Sequence, residues 1–302
     1  MPKLIKNHAK SEISLAQCVD EIAAIQFDPA CEVKLAKAAK SLRQLSNNRA
    51  FLGDLLIEQL KSRGKDGAID SGYGPQAIIL SPKCGNVFLR ANIWPSESDQ
   101  CFQASGARTF VYGVPHDHNF SFLTSGYFGP GYKSDYYEYD YACTAGYPGE
   151  KAGLRFIERS ALSEGKMMLY RAHCDIHSQI PPDSLSVSLN VMHVDESQNW
   201  FDQYGFDLER GEIAKVLSPN STEVFLRTAV AVRHGGALDL AEQFGKNHPS
   251  DRIRLAAYEA RARLFTCSDE QDRLWREAEL SGSVMLAQIA REQRSNLSQQ
   301  PA

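Results

Sequence analysis

The spacing of apolar positions changes twice along the chain and divides it into three zones, read here as residues 1–70, 71–210 and 211–302. In the first zone apolar residues recur every three or four positions from about residue 11 to 64. Val33, Leu35, Ala36, Ala39, Leu42 and Leu45 keep near-helical spacing, and Phe51, Leu52, Leu55, Leu56 and Leu60 do the same in a following helix. Ser14-Leu15-Ala16-Gln17 reads as a capping box, Asp28-Pro29 as a helix start, and Gly64 as a stop. A helical N-terminal segment is therefore expected.

In the middle zone the period shortens, and Gly, Pro, Tyr, Phe and Ser rise. Predicted strands are Gln76–Leu80, Asn86–Ile93, Thr109–Val114, Phe120–Tyr127, Tyr136–Tyr141, Leu154–Glu158, Lys166–Ala172 and Leu185–His193. Gly129-Pro130-Gly131 marks a turn between two of them. Short strands at this spacing predict an all-β core, a closed or nearly closed antiparallel barrel or jelly roll. The last zone returns to helical spacing. Pro219-Asn220-Ser221, Pro249-Ser250-Asp251 and Ser268-Asp269-Glu270-Gln271 each open a predicted helix, and the Ser- and Gln-rich tail from Ser295 is expected to fray.

Charge and composition narrow the partners. The formal net charge is -4 and the basic residues are dispersed, so nothing favours nucleic acid or an anionic membrane. No apolar run approaches the roughly 20 residues of a spanning helix. The N-terminus lacks the apolar core of a signal peptide. Seven cysteines without CxxC pairs predict reduced thiols and a cytoplasmic address.

The chemistry concentrates in His116-Asp117-His118, at the head of a predicted strand. Residues i and i+2 of a strand share a face, so two imidazoles aim at one point. His173, near the end of a later predicted strand, is the expected third ligand, with His177 as the alternative. An inward Glu138 would instead give two histidines and a carboxylate. Three histidines leave open positions on a transition metal, and the donor type alone does not separate iron, zinc, nickel and copper. Asp175 and Asn190 are candidates to orient the ring nitrogens, as is His177 if it is not itself a ligand. Tyr170 and Tyr139 could hydrogen-bond whatever fills the open positions.

Pro115-His116-Asp117-His118 and the apolar run to Gly126 resemble the first motif of cupins. Phe122 and Leu123 stand where that motif places its glutamate, and this loss is similar to the cysteine dioxygenase branch, whose iron is held by three histidines. Asn92-Ile93-Trp94, Tyr137-Glu138-Tyr139-Asp140, His173 and Ser186-Val187-Ser188-Leu189-Asn190-Val191 fit the same pattern, over residues 74–195. Leu123 and Met192 replace that family's cross-linked cysteine and tyrosine. Ser188, Asn190 and Met192 replace its Ser-His-Tyr chain. Gln76 stands where its substrate-binding arginine would fall, and Arg90 on a neighbouring strand could supply the charge. The resemblance implies Fe(II), dioxygen and a small thiol-containing or amino-acid-like substrate held near Gln76 and Arg90. A non-redox cupin enzyme is the runner-up, followed by a scaffold working through the C-terminal helices. Those helices are also the expected seat of a homodimer or protein contact.

Overall fold

The computed structural model describes residues 2–62, 76–218 and 220–299, so the predicted stop at Gly64 and the boundary at 70 lie outside the described residues. The chain forms two compact units, Met1–Asp140 with Gly153–Gln198 and Tyr141–Ala152 with Asn199–Ala302.

The first unit begins with strand β1 (Lys3–Ile5) and helices α1 (Leu15–Ile25), α2 (Glu32–Asn47) and α3 (Phe51–Ser62). The Ser14 hydroxyl accepts the Gln17 N–H at 3.1 Å, so the predicted cap on α1 forms. Asp28-Pro29 makes a turn instead, and α2 starts at Glu32. Next come β2 (Ala77–Ile79), β3 (Val87–Trp94), α4 (Gln100–Ser105), β4 (Phe122–Phe128) and β5 (Lys133–Glu138). The unit closes with β6 (Arg155–Ala161), β7 (Met167–Tyr170), β8 (Asp175–Ile180) and β9 (Ser186–His193). They build a six-stranded sheet in the order β1-β7-β4-β9-β3-β2 and a three-stranded sheet in the order β6-β5-β8. Every ladder is antiparallel.

Alternation sorts the six-stranded sheet into two faces. Leu89, Ala91, Leu123, Met167, Leu169, Leu189 and Val191 pack in one apolar cluster with Cys18, Ile22, Leu35, Ala38, Leu42 and Leu45 of α1 and α2. The intervening residues Trp94, Phe122, Met168, Tyr170 and Met192 share a second cluster with Tyr136 of the three-stranded sheet. The unit is therefore layered as helices, large sheet, aromatic filling, small sheet.

The expectation is a closed or nearly closed barrel or jelly roll; among the described residues the sheets do not close. The segment that would continue the small sheet beyond β8 is 112–118, and it meets β8 only through isolated bridges, Tyr112 to Gln179 and His116 to His177. Thr109–Val114 is not a strand. Residues 107–110 form a 3-10 turn, and Val111 (φ 61) and Gly113 (φ 67) are left-handed, which breaks any ladder before Pro115.

The second unit carries β10 (Tyr204–Asp207) and β11 (Glu212–Val216), an antiparallel pair, and five helices. These are α5 (Ser221–Ala231), α6 (Ala237–Asn247), α7 (Asp251–Ala262), α8 (Ser268–Glu279) and α9 (Val284–Ser298). Asn220 and Ser250 cap α5 and α7 through Thr222 and Ile253. Cys267, not Ser268, occupies the cap position of α8, and α9 reaches Ser298, into the start of the tail expected to fray. Residues 199–210, read from sequence with the β core, fall in this unit. No helix among the described residues is long and apolar enough to cross a membrane.

Candidate metal centre

His116 and His118 precede β4, and His177 sits inside β8. His116 donates its N–H to the His177 carbonyl at 3.1 Å, and His177 returns the bond at 2.9 Å. This reciprocal pairing puts the two imidazoles side by side on one face. His118, two residues on, joins them. One ring nitrogen from each of His116, His118 and His177 lies within 4.8 Å of the others. All three residues are buried.

The donor chemistry suits a cation. His116 Nδ1 lies 2.7 Å from the Val114 carbonyl and donates to it, so Nε2 carries the lone pair. That Nε2 is 3.3 Å from His177 Nε2. Two nitrogens each about 2.1 Å from one ion, at angles between a right angle and tetrahedral, would be about 3.0–3.4 Å apart. His118 Nδ1 and His177 Nδ1 are buried without a hydrogen-bond partner. Buried polar groups are ordinarily hydrogen-bonded, so two unpartnered ring nitrogens beside each other call for an explanation that a bound cation would supply.

Burial disfavours the charged form of all three rings. Burial lowers the His116 pKa against the opposing bond to Val114. Burial, then the neighbouring charge of His116, holds His177 well below the ordinary value. For His118 burial leads, followed by His116, His177 and Arg90.

The walls are aromatic. Phe120 and Phe122 each stand 5.0 Å from the His118 ring, and Tyr170 stands 5.0 Å from His177. Phe122 stacks on Tyr170 at 4.5 Å. The Tyr170 hydroxyl is 2.9 Å from that of Tyr136. Tyr170 thus lines the site, but its hydroxyl joins a tyrosine pair.

The structure brings His177, and not the expected His173, into the group with His116 and His118. β7 ends at Tyr170, and the chain turns through residues 172–174 with His173 in the left-handed region at φ 58. His173 holds the triad from outside, donating its backbone N–H to the His118 carbonyl at 2.8 Å. His177, carried as the alternative, fills the third place. Glu138 is not in that group either. Its oxygens take Arg155 at 2.6 Å and Arg171 at 2.8 Å. Asp175, expected to orient a histidine, receives Arg171 Nη2 at 2.6 Å and the Arg171 backbone N–H at 2.7 Å. Glu138, Cys174 and Asp175 come close enough to resemble a second cation site, but Arg171 already supplies the positive charge there.

The remaining candidates are spread. The Tyr139 hydroxyl donates to the buried Asp117 carboxylate. Gln76 donates its amide to the Phe110 carbonyl at 3.2 Å. Arg90, Asn190 and Thr124 lie in register across β3, β9 and β4. Alternation places them on the inward face, one row from Phe122 and Met192. The charge of Arg90 is felt at His118. Sequence reasoning missed Val114 and Gln179. A backbone carbonyl has no sequence signature, but Gln179 had one: it stands two residues after His177.

No family model and no curated protein matches the chain. Among solved structures it is similar to a salicylate 1,2-dioxygenase from Pseudaminobacter salicylatoxidans, at 10% identity and TM-score 0.27, over 47% of this chain and 33% of that one. A hydroquinone 1,2-dioxygenase from Sphingomonas sp. TTNP3 matches at 8% identity and TM-score 0.24, over 40% of this chain and 68% of that one. A DMSP lyase from Ruegeria pomeroyi DSS-3 matches at 11% identity and TM-score 0.23, over 64% of this chain and 79% of that one. The chain thus spans about a third of the salicylate dioxygenase.

Proposed function

We propose that this chain is a cupin-type, Fe(II)-dependent dioxygenase acting on a small anionic substrate of the thiol-containing or amino-acid class. The observation that carries the reading is the convergence of His116, His118 and His177, all buried with their pKa values lowered, with two ring nitrogens 3.3 Å apart. Three neutral imidazoles would hold the cation without cancelling its charge, which favours an anionic partner. The cation, when bound, would supply the electronic path that triplet dioxygen requires.

The protein's own groups do the rest. Val114 and the His116–His177 backbone pair fix two rings before any ligand arrives, so little reorganisation is left for binding. Phe120, Phe122 and Tyr170 exclude water from the triad and raise the strength of every charge interaction there. Arg90, on the inward face beside Asn190 and Thr124, attracts and orients the substrate's negative group.

The test is oxygen uptake by iron-loaded protein against a panel of small thiols and amino acids, run beside Arg90→Gln. Uptake with one panel member, and a KM raised about tenfold in Arg90→Gln at unchanged iron content, supports the reading. A protein that binds zinc or nickel and turns over substrate without consuming oxygen would refute the redox part and leave a hydrolase or isomerase.

A further inference from the structure

The nitrogen of His177 that faces His116 has a second polar neighbour. The side-chain amide nitrogen of Gln179 lies 3.2 Å from His177 Nε2, in hydrogen-bonding geometry. Gln179 is the next inward position on β8 and is only 4% exposed. Its carbonyl oxygen is buried and has no hydrogen-bond partner. The space in front of His177 Nε2 is thus shared by His116 and by a buried carboxamide with one unsatisfied end.

The two ends of a carboxamide have the same shape, and which end faces a neighbour follows the local hydrogen bonds. In this structure the NH2 group faces His177 Nε2 and would meet its lone pair in the tautomer protonated at Nδ1. A cation in front of that lone pair reverses the preference. The NH2 dipole would then oppose the positive charge, whereas the carbonyl oxygen would be drawn to it. The terminal torsion is broad and roughly two-fold, so the half-turn costs little. The same turn satisfies the orphaned oxygen.

Building on the proposed histidine site, we infer that the Gln179 carbonyl oxygen is a fourth, uncharged ligand to the cation. A neutral oxygen donor keeps the full charge of the cation and is easily displaced by an anion. Gln179 would guard the coordination position in the resting protein and release it to an anionic substrate. A carboxylate in its place would bind more firmly and resist that exchange.

The experiment uses Co(II) as a spectroscopic probe on the apoprotein, with affinity read by chelator competition and coordination number by the intensity of the visible absorption bands. Wild type, Gln179→Leu, Gln179→Glu and His177→Ala are compared, each checked for folding by circular dichroism. The expected results are affinity weakened about 10- to 100-fold in Gln179→Leu, as for loss of a supporting group at a metal, with stronger bands from the lower coordination number. Gln179→Glu should bind more tightly than wild type with altered bands. Wild-type affinity and spectrum in Gln179→Leu would overturn the inference while leaving the histidine site standing. If Gln179→Leu does not fold, Gln179→Glu decides, and a wild-type spectrum there overturns it. Failure of wild type to take up Co(II), or full binding by His177→Ala, would instead remove the histidine site and the inference with it.

Discussion

Replacement of the third histidine separates His177 from His173. A cation that binds only the folded protein stabilises it by about 4.1 kcal/mol when present at 1,000 times its dissociation constant. For a unit the size of Met1–Asp140 with Gly153–Gln198, each kcal/mol moves Tm by roughly 2–4 °C, so metal should raise the wild-type midpoint by roughly 8–16 °C. His177→Ala loses a nitrogen that stands 3.3 Å from its neighbour on the would-be ion, and its metal-induced shift should collapse to a small fraction of that. His173 contributes a backbone N–H to His118 from a left-handed position. Asn tolerates that conformation, so His173→Asn keeps the N–H and should keep nearly the whole shift. The assay is calorimetry of each variant with and without Fe(II) under anaerobic conditions. The difference within each variant is compared, which cancels effects of the substitution on the apoprotein. A full shift in His177→Ala together with its loss in His173→Asn would refute the assignment.

Three other outcomes are expected. Burial depresses the pKa of His116, His118 and His177 below their ordinary 6.5, so the folded rings stay neutral at that pH and lose metal only at lower pH. The unfolded chain takes up protons first, so apoprotein stability also falls as pH drops below 6.5; half-loss of metal at pH 6.5 or above, in chelator titrations, would contradict this. Gly126→Ala should destabilise by about 3 kcal/mol or more in denaturant titrations, because its methyl would stand 2.2 Å from the Ser163 carbonyl oxygen. In the second unit, burial pushes the Asp202 carboxyl from 3.8 up to about 6, against the pull of Arg252. The folded form therefore holds its proton more tightly, and the associated stability, present below pH 3.8, is lost as pH rises through 6. Asp202→Asn should abolish that slope, worth up to roughly 3 kcal/mol at neutral pH, and an unchanged pH profile would count against it.

The elements legible in the sequence are those whose pattern reports burial against an apolar partner. The helical faces of α2 and α3, the caps at Ser14, Asn220 and Ser250, and strands β3, β4 and β9 follow from periodicity and turn chemistry. The pairing of His116 with His118 follows from the two-residue period. β8 was invisible for a physical reason. Its inward residues are Asp175, His177 and Gln179, so its polar side faces the interior. A strand that lines a polar site reverses the hydropathy rule, and Asp-Ile-His-Ser-Gln-Ile reads as loop. With β8 unseen, the third ligand is expected at the end of the strand predicted over Lys166–Ala172, at His173, with His177 as the alternative. Nothing in the spacing signalled the left-handed turn that ends it. The breaks at Val111 and Gly113 left no signal because they sit inside an apolar run that reads as strand.

The most direct measurement is the elemental analysis of protein purified without oxygen, for wild type, His116→Ala, His118→Ala and His177→Ala. The account predicts iron close to one equivalent per chain in wild type and none retained in the three variants. Stoichiometric iron in any folded variant, or a wild-type apoprotein that takes up no first-row cation, would contradict it.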